Sequence, residues 1–180
     1  FLFHKAGFMK ERRSLMFKIN DYVMYGITGV CKILDIKEEK DRNSVIKKYY
    51  VLRPIYSKNT IIKTPVNNMK ISMRKIHSLD EVNSLITAIP SEETLWIEDE
   101  KSRNEQFKSM LKSGDCEALI KLVKSIYENK KSNRELGKKA YKGDEEIMKT
   151  AERLLNEEFA IILNISPDEV NSYIAEKMSQ

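Results

Sequence analysis

Cysteine is scarce: Cys31 and Cys116 are the only two in 180 residues, which excludes a disulfide scaffold and any four-cysteine zinc site. The two histidines, His4 and His77, stand in unrelated contexts. Zinc-hydrolase and histidine-triad chemistry therefore have almost no raw material. Six glycines and four prolines exclude collagen-like or low-complexity character. No run approaches the ~18 apolar residues that a membrane-spanning helix needs. A glycine-rich phosphate loop, a nucleophile motif and metal-ligand spacing are all missing. The residues thus point to no catalytic group, cofactor or metal, and to no small-molecule substrate.

What is present is enough apolar and charged residue for a folded core: 41% hydrophobic and 33% charged. The net charge of +5 hides an asymmetry. Residues 1–15 carry +3, residues 16–77 carry +8, and residues 78–180 carry −6. A basic front and an acidic back imply two modules with different partners, so any nucleic-acid contact on the back half must be local.

Residues 1–15 (FLFHKAGFMKERRSL) have no clear periodicity and no signal-peptide layout. They read as a leader, either added for expression or translated from upstream sequence, with a basic nucleic-acid-gripping arm as the alternative. From Met16 onward the pattern is that of strands. Phe17-Lys18-Ile19 and Tyr22–Tyr25 are β-rich pieces split by the turn signal Asn20-Asp21. Val30–Ile36 is a strand, Lys37–Ser44 a solvated hairpin tip, Lys48–Pro54 a strand, and Thr60–Val66 a strand stopped by Pro65. Four or five strands at ~8–12-residue spacing indicate a small β-barrel. So short a unit has a marginal core and should lean on something else.

The remainder reads as a helical bundle, so the fold class is α+β: a barrel at residues 16–72, then an all-α domain at 78–180. Ser78-Leu79-Asp80-Glu81 is a capping box. The helix it opens carries Val82, Leu85, Ile86 and Ile89 and stops at Pro90. A second helix, about Ile97–Lys112, turns Phe107, Met110 and Leu111 inward and ends at Gly114. Asp115 caps a third, with Leu119, Leu122, Val123, Ile126 and Tyr127 on one face. Lys130–Lys142 is polar and basic. Asp144 caps a fourth helix with Ile147, Ala151, Leu154, Leu155 and Phe159 inward. Ser166 and Pro167 open a short fifth helix.

The ordered set of motifs over about residues 16–163 resembles the CarD/CdnL family of bacterial RNA polymerase-binding transcription regulators. Met16–Tyr25 followed by Gly29-Val30 is similar to the family's F-x-[VI]-G-D-x-V-V-Y-P-x-x-G. Tyr49–Arg53 resembles Y-x-V-L-[KR], and Lys63-Thr64-Pro65 resembles V-x-V-P. Trp96, then Lys112-Ser113-Gly114-Asp115, resembles W…K-S-G-D, and Gly143–Leu155 resembles the penultimate helix. The front module is also similar to the polymerase-interacting domain of transcription-repair coupling factors. This chain has Asn20 and Gly26 where the family has Gly and Pro. It has Ile97-Glu98-Asp99-Glu100 where basic residues usually follow the Trp, a longer Trp96-to-Gly114 spacing, and acids at 144–146.

The resemblance implies a Tudor-like barrel, a cytoplasmic non-enzyme, and two partners. The barrel would dock on the lobe of the RNA polymerase β subunit, partly by pairing strand edges, with Arg53, Ile62, Lys63, Thr64 and Pro65 at the contact. A second basic family position falls near Glu39. The helical domain would reach promoter DNA at the upstream edge of the bubble, largely independently of sequence, and stabilise the open complex. There Trp96 would act as a wedge at an unstacked step, with Lys101 and Arg103 on phosphates and Lys138, Lys139 and Lys142 as a basic patch. Blander readings stand beside these. A lone Trp is more often a core or interdomain residue, Lys63 and Arg53 could protect an edge, and the basic run could be a solvated turn. A generic RNA-binding barrel with a helical partner-binding domain is the alternative function, with Tyr49 and Tyr50 as the stacking residues.

Overall fold

The computed structural model describes residues 17–57 and 59–179. The expected leader at residues 1–15 lies outside them. Five strands come first: β1 Tyr22–Tyr25, β2 Gly29–Lys40, β3 Ile46–Pro54, β4 Ile62–Pro65 and β5 Met73–Lys75. Five helices follow: α1 Leu79–Ala88, α2 Glu100–Ser113, α3 Cys116–Glu135, α4 Lys142–Leu163 and α5 Val170–Met178. This is the expected α+β order.

All strand pairs are antiparallel, in the order β4-β3-β2-β1-β5. The sheet curls without closing, so β4 and β5, only four and three residues long, remain its two edges. Phe17–Ile19 is not a strand. Asn20 turns into the left-handed region at φ 73°, and Asp21 closes the turn by accepting the Lys18 N–H at 2.8 Å. Phe17 instead plugs the end of the sheet: its N–H donates to the Tyr50 hydroxyl and its ring meets Tyr50 edge to face. β2 runs four residues past its expected end. Lys48–Glu38 and Lys47–Asp41 pairs join the ribbon, and Asp41 Oδ1 accepts two N–H groups to close its tip.

The period of two along β1 explains how so small a sheet stays folded. Val23 and Tyr25 join Cys31, Ile33, Tyr50 and Leu52 in a core inside the curl. Met24 and, on β2, Val30 point the other way and enter the main core, built by α1–α5. The marginal sheet core thus leans on the bundle, as its size demands.

The capping box of α1 is present, Asp99 and Asp115 cap α2 and α3, and Ser166 closes a capping box ahead of α5. Asp144 is not a cap. α4 begins at Lys142, and Asp144 lies inside its first turn, buried against Arg103. α3 extends to Glu135 and absorbs the first half of the basic run, leaving residues 136–141 as the turn. On α3 Ile120 is buried and Tyr127 is 61% exposed, which shifts the expected inward face by part of a turn. No helix among the described residues is long and apolar enough to cross a membrane.

Candidate docking edge and nucleic-acid interface

Among the described residues, β4 offers an open strand edge. The Val66 N–H donates to the Lys48 carbonyl and Leu52 sits opposite Ile62. By antiparallel alternation, Ile62 and Thr64 turn their backbone groups toward β3, and Lys63 and Pro65 turn theirs outward. A proline is tolerated there because its missing N–H would face away from the sheet. The side chains divide the same way. Lys63, Pro65 and Arg53 are exposed, Ile62 is half-buried, and Thr64 is 2% exposed. Thr64 accepts from the Tyr25 hydroxyl and from Asn68. Its expected place at the contact is therefore corrected: both its side chain and its backbone belong to the interior.

Lys63 pairs with Glu39 and lies 4.7 Å from the Tyr49 ring centroid. The acid at the second family position thus meets the lysine at the first. Both side chains are nearly half exposed, so the pair is worth little and opens readily to a competing partner. Tyr49 is half-buried under Lys63, and Tyr50 is 2% exposed. Neither offers the free ring that a stacking surface for RNA needs.

Trp96 lies in an extended segment before α2, held where the Leu95 N–H donates to Ser125 Oγ at 2.8 Å. The indole is half-buried on the main core, edge to face with Phe107 at 6.4 Å. Arg103, expected on a phosphate, is 0% exposed, and that role is corrected. On α2 it shares the inward stripe of Phe107, Met110 and Leu111. Its Nε donates to Asp144 Oδ2 at 3.0 Å, and its Nη1 donates to the carbonyls of Ile97 and Glu98. The guanidinium lies 4.3 Å from the Trp96 centroid and 4.7 Å from that of Tyr141. Burial raises the Asp144 carboxyl against the pull of Arg103, as a one-pronged pair allows. Arg103 Nη2 and Asp144 Oδ1 are buried without a partner among the described residues. Through Arg103 the structure brings Trp96 beside Tyr141 and the start of α4, where Lys142 is exposed. Lys138 and Lys139 are exposed in the same turn, and Lys101 is exposed on the first turn of α2.

A second polar cluster has no counterpart in the sequence reading. Glu158 of α4, 0% exposed, receives both Arg74 prongs from β5 at 2.7 and 2.8 Å. It also receives the His77 backbone N–H at 3.0 Å and lies 2.8 Å from His77 Nδ1. Cys116 Sγ stands 3.2 Å from its Oε2. Burial pushes the Glu158 carboxyl up, but the bonds from Arg74 and His77 outweigh it and hold it at about 2. Hydrogen bonding to Glu158 raises His77, and burial pushes the Cys116 thiol up. His77, Cys116 and Glu158 are close enough to hold a metal ion. The Arg74 guanidinium nevertheless touches all three and supplies the cation, so the cluster is a seam between sheet and bundle. Its sequence signal is Glu158 at helical spacing from Ala151, Leu154 and Leu155: an acid on an inward face must be paired.

No curated protein matches the chain. Residues 17–77, the sheet together with the Arg74–His77 end of the seam, match the family model of the CarD-like/TRCF RID domain. Residues 17–77, about a third of the chain and carrying its five-stranded sheet, are thus similar to the CarD-like/TRCF RID domain, an RNA polymerase-interacting domain.

Proposed function

We propose that the chain is a transcription regulator. Its sheet docks by the β4 edge on the lobe of the RNA polymerase β subunit, and its helical half contacts promoter DNA at the upstream edge of the bubble. The observation that carries this reading is that, among the described residues, the outer edge of β4 is unpaired, within a segment similar to a polymerase-interacting domain. An extended segment of the partner can add to it, with main-chain bonds giving affinity and the flanking Arg53, Lys63 and Pro65 giving specificity. The chain works by binding and not by catalysis.

The DNA half of the proposal rests on buried Arg103, which brings Trp96 beside Tyr141, in a stretch of chain where Lys138, Lys139 and Lys142 are exposed. Phosphate contacts from the lysines position the duplex without reading its sequence, and the indole caps the first unstacked pair as a wedge. An aromatic ring under a base is worth ~1–3 kcal/mol, which slows bubble collapse by about tenfold or more. Trp96→Ala shortens the promoter-complex lifetime by that factor and leaves retention on purified β lobe unchanged. An unchanged lifetime removes Trp96 from the mechanism.

A further inference from the structure

Arg103 is too heavily engaged to be explained as one half of an ion pair. A buried ion pair is weak evidence for stability, since two apolar side chains often serve as well. Yet this guanidinium spends its Nη1 on the carbonyls of Ile97 and Glu98, the two residues that follow Trp96, at 2.7 and 3.1 Å. It spends its Nε on Asp144 of α4 and stands within cation–π range of both Trp96 and Tyr141. Because Arg103 is fully buried and Trp96 is partly exposed, the guanidinium backs the indole from within. One side chain on α2 thereby fixes the ring of Trp96, its following backbone and the start of α4.

We propose that Arg103 is the positioning residue for Trp96, and that it couples the indole to the basic turn so that the two meet the duplex as one surface. The inference rests on the reading of Trp96 as the group that meets melted DNA. Lysine cannot replace arginine here: one ammonium cannot reach two carbonyls and a carboxylate while lying flat against two rings.

Trp96 is the sole tryptophan of the chain, so its fluorescence reports this site alone. Arg103→Met and Arg103→Lys are compared with the unsubstituted full chain. The readouts are acrylamide quenching, fluorescence anisotropy, lobe retention and promoter-complex lifetime. Both variants raise quenching and lower anisotropy, retain lobe binding, and shorten the lifetime by about the tenfold that an unplaced wedge costs. Arg103→Lys, which keeps the charge opposite Asp144, secures the folded comparison if Arg103→Met unfolds. The double variant Trp96→Ala/Arg103→Met loses no more lifetime than Trp96→Ala alone, because the two act through one contact. Quenching that stays unchanged in the folded variants, full rescue by lysine, or additive losses would overturn the assignment. Trp96→Ala without effect on lifetime would instead remove the duplex reading, while quenching still decides whether Arg103 sets the indole.

Discussion

Gly29 sets how closely α4 approaches the sheet. Its φ is +97°, and a Cβ there would stand 2.0 Å from Glu157 Oε2. Glu157 cannot simply swing away, since Arg153 holds it at 2.9 Å while donating to the Ile27 carbonyl at 2.7 Å. Gly29→Ala therefore costs about 1–3 kcal/mol, most of it backbone strain, read as a lower denaturant midpoint. A midpoint within error of the parent would show that the approach is not tight. Single positions also mark where a sequence misleads. Thr64 carries no outward sign of burial, because its role depends on a strand register that only the fold fixes. Arg103 does carry a sign: it stands four residues before Phe107 and seven before Met110, in phase with a buried stripe. An arginine in that phase must bring its own partners inside.

At the scale of elements, α4 ties the molecule together, and the acid that does so is Glu158. Removing its charge leaves Arg74 facing a neutral amide. Glu158→Gln should cost about 3 kcal/mol, the low end for a broken buried pair, because Arg74 is about a quarter exposed. The pH dependence has two limbs. Glu158 falls from 4.5 to about 2 on folding, so its contribution is complete above pH 4.5 and fades as pH drops toward 2. His77 rises on folding from 6.5, so its contribution is complete below pH 6.5 and fades as pH climbs through the raised value. Around His77 stand Glu158 of α4, Arg74 of β5 and Glu81 of α1. Denaturant midpoints across pH should show both limbs, and His77→Gln should erase the alkaline one alone. An alkaline limb that survives the substitution belongs to another group. Most elements are legible in the sequence because their signals are local: capping boxes, the Gly114 stop, turn residues and helical spacing. β5 is not, because three residues carry too little pattern, and its strand exists only through pairing with β1. Nor is the start of α4, where buried Asp144 looks like a cap.

Over the whole molecule, charge and contact divide the labour. In the proposed function the basic front meets the polymerase by backbone edge and shape, while the acidic back presents Lys138, Lys139 and Lys142 in and just after the turn that precedes α4. Substituting Lys138, Lys139 and Lys142 by alanine should lower the salt slope of promoter-complex retention by about one for each phosphate no longer neutralised. An unchanged slope would make the turn a solvated one. The strand-then-helix order is readable from the sequence. The seam between sheet and helices is not, because Arg74, His77, Cys116 and Glu158 come together only across folded elements.

The central claim is that the β4 edge grips the transcription machinery, and retention of the full chain on immobilised RNA polymerase β lobe tests it most directly. The account predicts saturable retention that Lys63→Ala weakens by about fivefold, the equivalent of one exposed ion pair at ~1 kcal/mol, with the folding midpoint unchanged. A chain that passes over the lobe unretained, or one held equally well after Lys63→Ala, would contradict it.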